Sequence, residues 1–188
     1  MLFRSTFTWV MEGEIHHRDS LGSEQIVRPG QVNLMTAGRG IVHTEDSVEP
    51  GQRLHAAQLW LALPPHLKDE PPAFDHYPTL PQWQEAGCRF TLLVGRQGEQ
   101  QAPTRVHTPL LAIDMACTEE SRVCVPLQAG FEHAFLVLEG EARIGQDVFH
   151  VDAFAYLAPG VTQIELTLAA GSRILLIGGE PFEPPILM

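Results

Sequence analysis

Short alternating runs of apolar and polar residues dominate the chain, and no stretch carries the spacing of a long amphipathic helix. Thr6-Phe7-Thr8-Trp9-Val10 is rich in the β-branched and aromatic residues that suit a pleated surface. Glu14-Ile15-His16-His17-Arg18 follows Gly13. Gln25-Ile26-Val27-Arg28 returns as its partner across the turn chemistry of Asp19-Ser20-Leu21-Gly22. Pro29-Gly30 turns the chain again into Val32-Asn33-Leu34-Met35, which closes at Ala37-Gly38. Leu54 to Leu63 reads as a longer, mostly apolar strand. Farther on, strand patterns cover Phe90 to Val94, Leu110 to Ala116, Ser121 to Pro126, Ala134 to Leu138 and Glu141 to Ile144. They continue at Val148 to Val151, Phe154 to Leu157, Gln163 to Leu168 and Arg173 to Ile177. Many short strands with regular turns predict an all-β sandwich or barrel.

Between these two series the composition changes. Pro64-Pro65, Pro71-Pro72, Pro78 and Pro81 fall close together, among Lys68, Asp69 and Glu70. Proline fixes φ and removes a backbone donor, so this span is expected to be an interdomain connection without a regular strand. Thr79 to Glu85 is expected to form a helical turn. An internal repeat supports a doubled architecture: Val10-Met11-Glu12-Gly13-Glu14 matches Val137-Leu138-Glu139-Gly140-Glu141. The segments Gln31 to Gly38 and Asp152 to Gly160 match in the same order.

At 188 residues, with 44% hydrophobic and 19% charged, the chain can bury a real core. Its formal charge of -11, with no cluster of Lys or Arg, disfavours binding to nucleic acid. No apolar run approaches a membrane span, and the first residues lack the pattern of a signal peptide. A soluble, cytoplasmic protein is expected. Cys88, Cys117 and Cys124 form no C-x-x-C pair, so buried free thiols are expected.

The chemistry centres on GRGIVHTE, Gly38 to Glu45. If Ile41 to Glu45 is extended, His43 and Glu45 face one way, and Val42 and Thr44 the other. Imidazole plus carboxylate suits iron, manganese, nickel or zinc, although H-x-E alone is a weak signal and a centre needs further ligands. His16 and His17 are adjacent on a strand and point to opposite faces. His55 is a candidate interior residue. His133 lies where the second half could carry a ligand, without an accompanying H-x-H or H-x-E. His66, His76, His107 and His150 are expected on loops or the surface.

EGEIHHRDSLGS, RPGQVNLMTAGRGIVHTE and AQLWLALP closely resemble the first domain of the pirin family of bicupins. VPLQAGFEHAFLVLEGEARIG resembles that family's second domain, and GGEPFEPPI the segment after it. The resemblance implies two stacked cupin barrels, residues 1–75 and 76–188, with a metal only in the first. It implies iron or another divalent transition metal, held by an H-P-H motif together with His43 and Glu45, and it gives His17 a structural role. H-P-H has no counterpart here: its second histidine would fall at about Met1, and relatives continue past Met188. The resemblance therefore implies a member trimmed at both ends, lacking its first strands, with weak metal binding and little activity.

Some members resemble quercetin 2,3-dioxygenases. That implies an aromatic small-molecule substrate, Glu45 as catalytic base or ligand, and a pocket lined by Val32, Leu34 and Trp60. Other members act on protein partners, so a non-enzymatic regulator is the alternative reading. Strand edges exposed by the trimming would favour a homodimer.

Overall fold

The computed structural model describes residues 4–67 and 69–182. The regular structure of its described residues is all β, apart from a single short 3₁₀ turn at Pro65–Leu67. They group into two compact units that part between Leu80 and Pro81.

The first unit holds β1 (Arg4–Glu12), β2 (Ile15–Asp19), β3 (Glu24–Val27), β4 (Val32–Thr36), β5 (His43–Ser47), β6 (His55–Ala62) and β7 (Ala73–Tyr77). One sheet runs β6-β1-β4-β7 and a second runs β3-β2-β5, with every pairing antiparallel. Val10 and Ala56 from the first sheet pack with Ile15 and Val27 from the second, so the two sheets share an apolar floor. This is a small cupin barrel.

The second unit holds β8 (Gln82–Glu85), β9 (Cys88–Val94), β10 (Arg96–Gln97), β11 (Gln100–Gln101), β12 (Leu110–Cys117) and β13 (Ser121–Pro126). It continues with β14 (Glu132–Glu139), β15 (Glu141–Ile144), β16 (Asp147–His150), β17 (Phe154–Leu157), β18 (Gln163–Leu168) and β19 (Arg173–Gly179). A large sheet, β17-β14-β19-β12-β9-β8, faces a smaller one, β13-β18-β15-β16. Phe90, Ile113, Phe135 and Leu176 from the first meet Val123, Ala142, Leu166 and Leu168 from the second in one buried core. Alternation along β13 shows the rule at work: Val123 and Val125 are buried, Arg122 and Cys124 exposed.

The repeat has a structural counterpart. β1 pairs with β6, and β14 with β19, and both ladders shift register at the same place, between Val10 and Glu12 and between Val137 and Glu139. Gly13 and Gly140 then turn the chain with φ of +79° and +72°. β4 pairs with β1 as β17 pairs with β14.

Three expectations need correction. β7 runs through the proline-rich span and pairs with β4. Pro72 and Pro78 bracket this strand rather than interrupt it, so no ladder donor is lost. β7 also crosses position 75/76, the sequence-derived domain boundary. Residues 82–85 form a strand, not a helical turn: Ala86 and Gly87 take φ of +48° and +78°, the backbone of a tight hairpin, and Trp83 stacks on Phe90 at 5.0 Å. Finally, Cys88 and Cys117 are not free thiols but form a disulfide, and Cys124 is free and exposed. Cys88 and Cys117 are register partners on β9 and β12, which brings their Cα atoms to 4.1 Å.

Candidate functional site

The inner face of the first barrel is fixed by register. Thr8 on β1 lies opposite Gln58 on β6 and Asn33 on β4, while His17 on β2 lies opposite Glu45 on β5, and Asp19 opposite His43. Opposed residues of a ladder share a face. Glu45 is the meeting point. Gln58 Nε2 donates to its Oε2 at 2.7 Å, Thr8 Oγ1 donates to its Oε1 at 3.4 Å, and His17 Nδ1 lies 3.7 Å from Oε1. Gln58 Nε2 also donates to Thr8 Oγ1 at 3.2 Å, which ties the cluster together.

His17 is buried, and its Nε2 lies 3.2 Å from Oδ2 of Asp19. The Asp19 side chain has no exposed surface, and its Oδ1 accepts the backbone N–H groups of Leu21 and Ser23 at 2.9 and 3.1 Å. The His17 ring stacks on Phe74 at 4.3 Å and on His43 at 5.6 Å. His43 itself is exposed, and Glu45 half-buried.

The electrostatics follow. The His17 imidazole facing Glu45 is the largest influence on its carboxylate and lowers its pKa; burial opposes this, and the hydrogen bond from Gln58 and the charges of His43 and His17 reinforce it. Burial pulls the His17 imidazole down, but Glu45 and Asp19 together outweigh it and raise its pKa. Burial likewise pushes Asp19 up, yet His17 and the backbone donors of Ser23 and Leu21 leave it lowered. The His17 ring lies between two carboxylates, which favour its protonated form.

The sequence-derived residues distribute as follows. His43 and Glu45 stand on one face of β5, together with His17. His16 points the other way, to Glu24 Oε1 at 2.8 Å. His55 begins β6, half-buried. His66 and His107 are exposed, and exposed His150 sits 3.4 Å from Glu141. His76 lies on a strand and not a loop, half-buried on β7, with Nδ1 2.7 Å from Oδ1 of buried Asn33. The expected pocket wall also changes. Val32 and Leu34 alternate with Asn33 and so point away from the Glu45 face, while Trp60, Met35 and Phe74 lie on it. Nothing local in the sequence marks Thr8 or Gln58. Asp19 two residues after His17 was the one readable hint.

His43 and Glu45 fit a divalent transition ion in donor chemistry, imidazole nitrogen plus carboxylate oxygen. Both nitrogens of His17 already face carboxylates. Among the described residues no group of three or more His, Cys, Asp or Glu is placed to hold a metal. Nor, among the described residues, is any helix long and apolar enough to cross a membrane.

Comparison with known proteins shows the family. The family model for pirin matches residues 4–61, and that for the pirin C-terminal cupin domain matches residues 112–188. A Pseudomonas aeruginosa protein named "Putative quercetin 2,3-dioxygenase" is 51% identical over 97% of this chain and 58% of its own length. A Caulobacter vibrioides "Pirin-like protein" is 34% identical over 96% of this chain and 64% of its own. The crystal structure of quercetin 2,3-dioxygenase from Acinetobacter baumannii superposes with a TM-score of 0.95 at 46% identity, covering 100% of this chain and 62% of that one. The chain thus spans about three-fifths of the length of the relatives it matches.

Proposed function

Because the chain belongs to the pirin family, we propose that its first barrel is the site of a quercetin 2,3-dioxygenase-type oxygenase acting on a hydroxylated aromatic small molecule. The observation that carries this is Glu45, held ionised at the inner face by Thr8, His17 and Gln58 with His43 beside it. The names of the similar Pseudomonas and Acinetobacter proteins support the reaction class.

His43 and Glu45 are the residues that would hold iron or another divalent transition metal. When bound, the metal supplies a Lewis acid for an aromatic hydroxyl. Glu45 accepts the hydrogen bond and then the proton of that hydroxyl. Its lowered pKa makes it a weak base for an unassisted phenol and a good anionic anchor, so acidification of the hydroxyl and the carboxylate work together. Trp60 and Phe74 offer aromatic surface against which a planar ring can lie.

The test is oxygen uptake and loss of quercetin absorbance with iron(II) added anaerobically before oxygen. We expect consumption that depends on the metal and falls by about 100-fold or more in Glu45→Gln, which keeps the shape and removes the charge. Consumption unchanged in Glu45→Gln, or none with metal bound, overturns the reading.

A further inference from the structure

We propose that His17 is a positioning residue that orients both His43 and Glu45, and that Asp19 in turn orients His17. The inference rests on the reading of the first barrel as an oxygenase site and assigns a task to a residue to which the family resemblance gives a structural role.

Every freedom of the His17 ring is taken up. The Asp19 side chain has no exposed surface, and two backbone N–H groups occupy its Oδ1, which leaves Oδ2 to face Nε2 of His17 at 3.2 Å. That contact fixes one edge of the imidazole. Phe74, stacked at 4.3 Å with planes 17° apart, fixes its tilt. The other ring nitrogen then has one direction to point, toward Oε1 of Glu45. Thr8 bonds the same oxygen, and Gln58 bonds Oε2, so the carboxylate is gripped at both oxygens. His43 is exposed and belongs to a strand end, where an imidazole would otherwise sample several rotamers. Its ring instead lies within 20° of parallel to His17 at 5.6 Å.

A residue that merely filled the barrel would need neither a buried carboxylate at one edge nor a second carboxylate at the other. Outer partners of this kind, which set the orientation of ligating imidazoles and carboxylates, change metal affinity by about 10–100-fold when removed.

The experiment uses the full chain and three variants. His17→Leu keeps the bulk and removes both nitrogens. His17→Gln keeps an amide donor toward Glu45. Asp19→Asn keeps the backbone turn and removes the charge behind the ring. Each is checked for folding by thermal melting, titrated calorimetrically with nickel(II) alone, and examined metal-free by ¹H–¹³C spectra of the His43 ring and the Glu45 side chain. We expect nickel affinity to fall about tenfold or more in His17→Leu and in the same direction in Asp19→Asn, with much of it recovered in His17→Gln. The metal-free His43 and Glu45 signals should move in His17→Leu. A folded His17→Leu with wild-type affinity overturns the inference, as do equal losses in Leu and Gln with unmoved His43 signals. If the wild type takes up no nickel, the oxygenase reading falls by itself. The metal-free spectra then decide the positioning role: signals that move in His17→Leu or Asp19→Asn support it, and unmoved signals overturn it. If His17→Leu does not fold, Asp19→Asn and His17→Gln decide it by the same two measurements.

Discussion

His133 offers a quantitative test of how the second barrel is built. It lies on β14 opposite Leu157 and Gly178, is 2% exposed, and among the described residues neither ring nitrogen has a hydrogen-bond partner. Glycine at 178 is what admits the ring, because a Cβ there would stand 2.5 Å from His133 Cδ2. A buried polar group left unpaired costs about 1–3 kcal/mol. His133→Leu, close in volume, should therefore raise unfolding free energy near neutral pH, by about 1–2 kcal/mol once imperfect packing is allowed for. Burial also lowers the pKa of His133. The sign follows: an unfolded chain binds this proton more readily than the folded one, so stability is lost as pH falls below the unfolded value of about 6.5. The loss reaches at most about 1.4 kcal/mol per pH unit for one proton. His76, also lowered by burial, adds to the acid sensitivity of the wild type, and His17, raised, opposes it. The difference between wild type and His133→Leu isolates His133. Urea unfolding of both proteins at pH 7.5 and 5.0 measures it, and the variant's advantage should grow toward pH 5.0. An advantage that is absent at pH 7.5 and does not change with pH would refute the reasoning, since the imidazole would then be satisfied in the core.

Two further outcomes test the doubled architecture and the corrected cysteine chemistry. Gly13 and Gly140 occupy matching turns at positive φ, and a Cβ would meet Arg53 O at 2.6 Å in one and Ser172 Cα at 2.8 Å in the other. Alanine at either should cost about 1–3 kcal/mol, more than at Gly22, where φ is +86° but nothing lies within 4 Å; denaturant midpoints rank the three. Replacing Cys88 and Cys117 together by serine opens a loop with a sequence separation of 29, which should lower stability by about 3–4 kcal/mol, whereas Cys124→Ser should change it by less than about 0.5. Equal effects in the two would show that the pair does not close that loop.

Much of the strand inventory was legible in the sequence. Alternation marked Ser121–Pro126, Glu141–Ile144, Phe154–Leu157 and Gln163–Leu168 to the residue. It failed where local signals compete. Around β7 the prolines drew attention from the strand they bracket, and at β8 the run Pro81-Gln82-Trp83-Gln84-Glu85 reads as helical until Trp83 finds Phe90. The exposure of Cys124 was within reach, since it sits between two inward valines on β13. The disulfide was not, because it depends on the register of β9 against β12.

The candidate site divides in the same way. By itself the sequence determined that His43 and Glu45 share a face, because a strand has period two, and that two Glu-Gly-Glu turns repeat one plan, because only glycine takes positive φ there without cost. Only the tertiary structure decided which faces turn inward. Val32 and Leu34 lie opposite Glu45 in direction, His17, Thr8 and Gln58 converge on it from three other strands, and Phe74 backs His17 from a fourth. A period of two gives every strand two faces and does not say which is buried. That choice is made by pairing between strands far apart in sequence, where a slip of one residue would exchange the faces.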